Sequence, residues 1–342
     1  MASIVQLSST GEAPELADPP TRWITRNWPI LLVFGIALAL AIAIVTYGNP
    51  APPGSSGFWS IVQSRGETIW TIALVAVAQS VATVLFHTAT SNRILTPSIL
   101  GFDALYVLMQ TALVYLYGTS ATSMEGIPKI IVQSTLMVLF ATVLYGWLFS
   151  RRRANLHLLL LVGIVLGVGF GSISSFLQRM LTPSEFDVLS ARLFGSISKG
   201  NIEYLPIASL IVGAVLVFVW VRRRTYDVLA LGRDVSTSLG VRYKREIVTV
   251  LVLVAVLVSV SATMVGPMTF YGFLVATLAY QFARGQTHAE ILPLAIGIGL
   301  VTLLGATFVL KHVFSAAGLV TVIIEFLGGL LFLIILLRKG LR

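Results

Sequence analysis

The chain has 342 residues, of which 56% are hydrophobic and only 11% charged, with a mean hydropathy of +0.92. A soluble domain carries about 25% charged residues, so a water-soluble globular chain is excluded and a membrane protein is indicated. There is no cysteine, which removes disulfides, thiolate catalysis and cysteine-ligated metal centres. The net charge of +9 follows from topology, because membrane proteins gather Lys and Arg on the cytoplasmic side; no nucleic-acid partner is needed to explain it.

The chain opens on an acidic, proline-bearing stretch (Glu12, Glu15, Asp18, Pro19, Pro20). This flank, and the length of the apolar run after it, argue for an uncleaved first helix over a signal peptide. Continuous rather than alternating apolar runs exclude a barrel, and a backbone in lipid must then bond within its own helix. About ten spans are expected, near 28–47, 67–88, 98–117, 128–149, 157–178, 204–221, 246–265, 269–283, 290–310 and 319–337. The eighth is short and contains Gly272. This gives an all-α integral membrane protein with a tail over 1–27 and a single transmembrane domain over 28–342. If both termini are cytoplasmic, all but six of the 23 basic residues fall on the inner side. The six are Arg65, Lys129, Arg179, Arg192, Lys199 and Lys311, and the positive-inside rule favours this orientation.

Two loops are long enough to fold. The outer one, about 181–204, begins Thr182-Pro183-Ser184-Glu185, a capping-box spacing with Pro at the first helical position. Phe186, Leu189 and Leu193 follow at helical spacing, so a short amphipathic helix on the outer surface is expected. The inner one, 222–245, is cut by Gly232 and Gly240 into two short helical pieces near 227–231 and 234–239. Leu229, Leu231, Val235 and Leu239 are apolar residues on a short cytosolic loop, and such residues call for a partner surface.

No G-x-x-x-x-G-K-[ST] phosphate loop is present, so the chain has no ATPase site of that kind. His87, His157, His288 and His312 show no metal-ligand spacing, and neither a metal nor a cofactor is expected. Gly163, Gly167 and Gly171 form a double G-x-x-x-G ridge, followed by Ser172 and Ser175. Either tight packing or a translocation path is compatible with that face. Among charges in the spans, Asp103 begins span three, where a helix N-terminus stabilises it. Glu325 lies two turns inside span ten, where it would face a watery cavity, pair with a cation such as Lys311, or couple protons. Gln79 and Ser80 read as interhelical hydrogen bonds.

The inner loop, TYDVLALGRDVSTSLGVR, resembles the cytoplasmic coupling segment of bacterial ABC-importer permeases for iron–siderophore complexes and vitamin B12. The D-x-L-x-L-G element is Asp227, Leu229, Leu231 and Gly232, and the later L-G-[VI] is Leu239, Gly240 and Val241. The stretch from Asn92 to Gly101, the Gly266-Pro267 to Phe273 region and Gly328-Gly329 are similar to further elements of that family, so the resemblance spans about 28–342. The Asn92-Arg93-Ile94-Leu95-Thr96-Pro97 version looks like a catecholate-siderophore subgroup. Leu330 replaces the usual Pro of the last span, and LVATLAYQFAR replaces the usual I-P-H-x-x-R of span eight.

This resemblance implies a type II ABC importer permease fold and a dimer of permeases, with a second, different chain favoured. It implies an ABC ATPase subunit docked on Asp227, Leu229, Leu231, Gly232, Leu239, Gly240 and Val241. It further implies an extracytoplasmic siderophore-binding protein over Arg65 and Lys311, and ferric siderophore as cargo. A B12 or haem importer, a proton-coupled secondary transporter using Glu325 and Asp103, and a non-transporting scaffold remain alternatives.

Overall fold

The computed structural model describes residues 20–123, 127–150, 156–193, 202–314 and 320–340. The first 19 residues of the tail, Arg151 to Arg153, Lys199 and Arg342 lie outside them. Among the described residues the regular structure is entirely helical. Ten helices correspond to the ten expected spans: α1 (Pro20–Thr46), α2 (Ser56–Thr90), α3 (Phe102–Tyr117), α4 (Ile127–Ser150), α5 (Leu156–Gln178), α7 (Leu205–Val221), α10 (Tyr243–Val265), α11 (Tyr271–Phe282), α12 (His288–His312) and α13 (Val320–Gly340). Three short helices lie between them: α6 (Pro183–Leu193), α8 (Arg223–Leu229) and α9 (Arg233–Ser238).

The largest departure from expectation is α2, which begins at Ser56 and runs for 35 residues. Its first turns carry Gln63, Ser64, Arg65 and Glu67, whose polarity hides a helix from hydropathy. Ser55 starts it by accepting the Phe58 N–H at 3.1 Å, a side-chain N-cap. From Thr71 onward α2 is buried almost all round, packed among α7, α10, α11 and α12. Small residues such as Ala76, Ala78, Ser80 and Ala82 let those helices approach closely. Gln79 donates to Ser261 of α10 at 3.1 Å, and Ser80 donates to the Ala295 carbonyl of α12 at 3.2 Å, as expected of interhelical bonds.

α11 has 12 residues, about 18 Å at 1.5 Å per residue, well short of the ~30 Å hydrocarbon core. The short eighth span is thus a half-length helix. Its N-terminal end lies inside the bundle and is held there by acids from two other helices, described below.

The outer loop forms its helix where the capping box placed it. The Thr182 N–H reaches Glu185 Oε2 at 2.8 Å, and the Glu185 N–H returns to Thr182 Oγ1 at 3.4 Å. These bonds hold the exposed Glu185 carboxyl below the usual carboxylate range. The helix does more than lie on a surface: Leu189 is fully buried against Val114 of α3. Phe186 remains exposed.

Candidate functional site: the two ends of the bundle and the α5 face

At one end of the bundle, α7 and α8 meet at an angle of 65°, and α8, α9 and their connections form the 222–245 segment. It divides into two groups of residues. Tyr226 and Leu229 are fully buried, and burial pushes the Tyr226 phenol up to about 12. Leu231, Val235 and Leu239 are exposed. Leu229 therefore anchors the segment and does not belong to an exposed docking patch. Gly232 and Gly240 have φ of +93° and +83°, a region that L side chains avoid, and each ends one helical piece. The first piece starts at Arg223, ahead of the expected 227. The second is tied back to the first, with Ser236 donating to the Val228 carbonyl at 2.8 Å, and its own end is closed by the Val241 N–H donating to the Ser236 carbonyl at 2.9 Å.

Asp227 faces inward. Its Oδ1 accepts the backbone N–H of His288, the first residue of α12, at 2.7 Å, and lies 2.7 Å from His288 Nδ1. A carboxylate only accepts, so Nδ1 carries the proton. The other ring nitrogen, Nε2, is 2.8 Å from Thr88 Oγ1 near the end of α2. Three elements are thereby tied through one imidazole: α8, α2 and α12. Asp227, expected among the ATPase-coupling residues, thus has one oxygen engaged inside the chain while its side chain stays 28% exposed. His288 and Thr88 were not singled out in the sequence, because the pair Asp227–His288 is separated by 61 residues. The available signal was that His87 and His288 sit at the same ends of their spans. Arg222 adds a further brace, bonding Glu246 of α10 at 2.8 Å.

At the opposite end, Arg65 and Lys311 part company. Arg65 is 6% exposed, and its guanidinium donates to the carbonyls of Ile44, Val45, Tyr47 and Gly48 at 2.7–3.1 Å. It caps the C-terminus of α1, where unpaired carbonyls and the helix dipole favour a cation. The guanidinium is turned into the bundle, away from the exposed position that contact with a binding protein would use. Lys311, in the last turn of α12, is exposed.

Of the roles expected for Glu325, the structure bears on one, the pairing with Lys311, and gives the carboxylate a backbone partner instead. Both its oxygens accept the Phe270 N–H, at 3.3 and 3.1 Å, at the start of α11. Asp103, in the first turn of α3, accepts Thr269 Oγ1 at 2.8 Å. Two acids from α3 and α13 therefore hold the N-terminal end of the half-length helix. The ion pairs of the described residues include Arg222–Glu246 and Asp227–His288, and among those residues Lys311 and Glu325 form none with each other. Gly328 lets α13 come close, since a Cβ there would stand 2.7 Å from Phe270 Cβ.

The glycine ridge of α5 has a double character. A Cβ on Gly163 would lie 2.9 Å from Leu100 Cα, and one on Gly167 would lie 3.2 Å from Gly101 Cα. Gly101 itself has φ +88°, so backbone meets backbone there with no room for a side chain. Gly171 has nothing within 4 Å. Ser172 and Ser175 are exposed, next to exposed Val168, Ile173 and Phe176. Packing accounts for the first two glycines. The unoccupied face holds Gly171, Ser172 and Ser175.

A bundle of ten helices, interrupted by one half-length helix and carrying a hinged two-helix segment at one end, is the architecture of a multi-pass membrane permease. The chain belongs to the FecCD transport family, whose match covers residues 30–338. It is 44% identical over 317 residues to the petrobactin import system permease protein FatC of Bacillus anthracis, covering 92% of this chain and 90% of that one. It is 37% identical over 306 residues to the petrobactin import system permease protein YclO of Bacillus subtilis, covering 89% and 97%. Its fold superposes on a metal-chelate type ABC transporter solved in an inward-facing conformation, with a TM-score of 0.75 at 20% identity, covering 91% of this chain and 99% of that chain.

Proposed function

We propose that the chain is the permease subunit of an ABC importer that brings a ferric siderophore across a bacterial cell membrane. ATP is hydrolysed by a separate subunit, and both chain termini lie in the cytoplasm. The observation that carries this reading is the exposed apolar set Leu231, Val235 and Leu239, standing on a segment that is otherwise anchored by Leu229, Tyr226 and Asp227. A groove on an ATPase would cover that set, and ATP-driven motion would pass through Asp227 and His288 into α12 and α2 as a rigid-body rearrangement. The permease relatives named above import petrobactin, which makes a ferric petrobactin-like chelate the first cargo to test.

The second permease is a different chain in this reading. Bacillus anthracis has a second petrobactin permease, FatD, which is 28% identical to this chain, beside FatC at 44%. Two unlike subunits in one system support a heterodimer. The exposed face of α5, with Gly171, Ser172 and Ser175, is the surface we assign to that partner and to the cargo path. Lipid would cover the remaining apolar exterior.

Two outcomes test the assignment. Leu239→Asp places a carboxylate on the docking face while leaving the anchor residues alone. The expected result is loss of the copurifying ATPase and at least about tenfold slower uptake, given the desolvation cost of a buried charge. An ATPase that still copurifies in full with this variant refutes the docking face. Lys311→Glu is expected to weaken the binding protein about fivefold at low salt, roughly 1 kcal/mol for an exposed charge contact, with the difference shrinking as ionic strength rises. Equal affinity at low salt removes Lys311 from the docking surface.

A further inference from the structure

A cavity of about 210 Å³ opens at the end of the bundle that carries α8 and α9, between the end of α2, the turn joining α11 to α12, and Ala230. Its rim is formed by Ser91, Arg93 and Gln286, all exposed. His87 and His288 lie deeper, each 3% exposed. His288 has partners for both ring nitrogens, Asp227 and Thr88. His87 is held far more loosely: neither Nδ1 nor Nε2 makes a well-formed hydrogen bond, the Leu95 backbone is its one loose partner, and the ring stacks near Tyr280 with centroids 5.7 Å apart.

An unmet buried polar group costs about 1–3 kcal/mol, and such groups are nearly always satisfied by protein, water or ligand. The rest of the lining says which kind of ligand. No carboxylate side chain is among the lining residues; the nearest acid, Asp227, stands behind His288 and is taken up by it, so the wall itself presents a guanidinium, a hydroxyl, an amide and an imidazole. Arg93 is held in place twice, over the Tyr280 ring at 4.3 Å and by Gln286 Oε1 at 2.6 Å. A fixed guanidinium above a buried hydrogen-bonding imidazole suits an oxyanion, which accepts from several directions at once.

We propose that this cavity binds a phosphate group, contacted by Arg93 from the rim and His87 from the floor. Inorganic phosphate and the phosphodiester of an anionic lipid headgroup share that chemistry, and the ends of α2 and α12 lie where headgroups would reach. Because Ala230 and His288 also line the cavity, the occupant would sit against the Asp227–His288 link. The site does not depend on the transport reading, and it can fail or stand without it.

The test uses the full-length chain in nanodiscs, with binding of radiolabelled inorganic phosphate measured in phosphatidylcholine discs. In parallel, native mass spectrometry scores retained phosphatidylglycerol against phosphatidylcholine. Saturable phosphate binding, or selective retention of phosphatidylglycerol, is expected. Either signal should fall about tenfold or more in Arg93→Gln, the loss of one charge-assisted contact, and also in His87→Gln. Arg93 is on the surface, so a melting temperature unchanged in Arg93→Gln separates lost binding from lost fold. Phosphate binding that phosphatidylglycerol displaces identifies the lipid as the source; binding that it leaves intact identifies the free ion. The proposal is overturned if neither signal appears, or if both survive Arg93→Gln undiminished.

Discussion

Asp227→Ala is expected to reduce uptake by an order of magnitude or more while leaving the ATPase able to dock. One oxygen of Asp227 receives both the backbone N–H and the ring N–H of His288. Hydrogen bonds to a charged group contribute about 1.5–3 kcal/mol each when buried. The Asp227 side chain is 28% exposed, so solvent screening lowers its share toward the bottom of that range. His288 is buried on its side, and without the carboxylate its Nδ1–H and the first amide of α12 lose their acceptor inside the protein. The apolar docking residues Leu231, Val235 and Leu239 are untouched. The variant should therefore bind ATPase normally, hydrolyse ATP, and fail to convert hydrolysis into transport. Leu239→Asp should instead lose the ATPase itself. Asp227→Asn keeps one acceptor oxygen and should fall between wild type and Asp227→Ala. The measurement is ATP-dependent uptake of ferric siderophore into proteoliposomes, set beside ATPase copurification. Uptake by Asp227→Ala within twofold of wild type would show that the link carries no coupling.

What the sequence made legible followed from local chemistry. Long apolar runs located the helices, because a ~30 Å apolar slab demands them. The Thr182–Glu185 box located α6, because its four residues contain both halves of the cap. The glycines at 232 and 240 located the breaks in the inner loop, because a positive φ is a property of the residue itself. What local chemistry could not supply came where a distant element decides. Arg65 reads as a surface cation from its neighbours, yet the carbonyl end of α1, some twenty residues earlier, takes it inside. Glu325 reads as an intramembrane acid without a local partner, and its partner in the fold is an N–H at Phe270, 55 residues away. The early turns of α2 were missed since their polar side chains satisfy a helix without satisfying a hydropathy window. Asp227 was legible as important and illegible as to why, since its partner is set by how α8 folds back onto α12.

The α5 ridge yields the second large effect. Gly163→Leu is expected to abolish recovery of folded, monodisperse protein. Its Cβ would stand 2.9 Å from both Leu100 Cα and Leu100 Cδ2. The side chain Cδ2 can rotate away; the Cα belongs to a short 3-10 turn opened by Pro97 and cannot. Overpacking of this kind costs about 1–3 kcal/mol for added methylenes that can be accommodated, and more where backbone must move. Lipid offers no hydrophobic gain to offset a loosened helix pair, since the tails are as apolar as the side chains. Gly167→Ala should show the milder form, because its Cβ meets Gly101 Cα at 3.2 Å, and a melting temperature lowered by several degrees is expected. Gly171→Ala should melt as wild type, with nothing within 4 Å of its Cβ. The gradient has a geometric cause: each i+4 step advances about 40° around a helix of 3.6 residues per turn. By Gly171 the ridge has therefore turned about 80° from Gly163, away from the 97–101 turn and onto the exposed face with Ser172 and Ser175. A substitution at Gly171 that spares the fold but alters uptake would place that face on the cargo path or the permease interface. Equal melting of Gly163→Leu and wild type would instead mean that α5 is not seated on Leu100, and the separation of a packed face from a free one on this helix would fall with it.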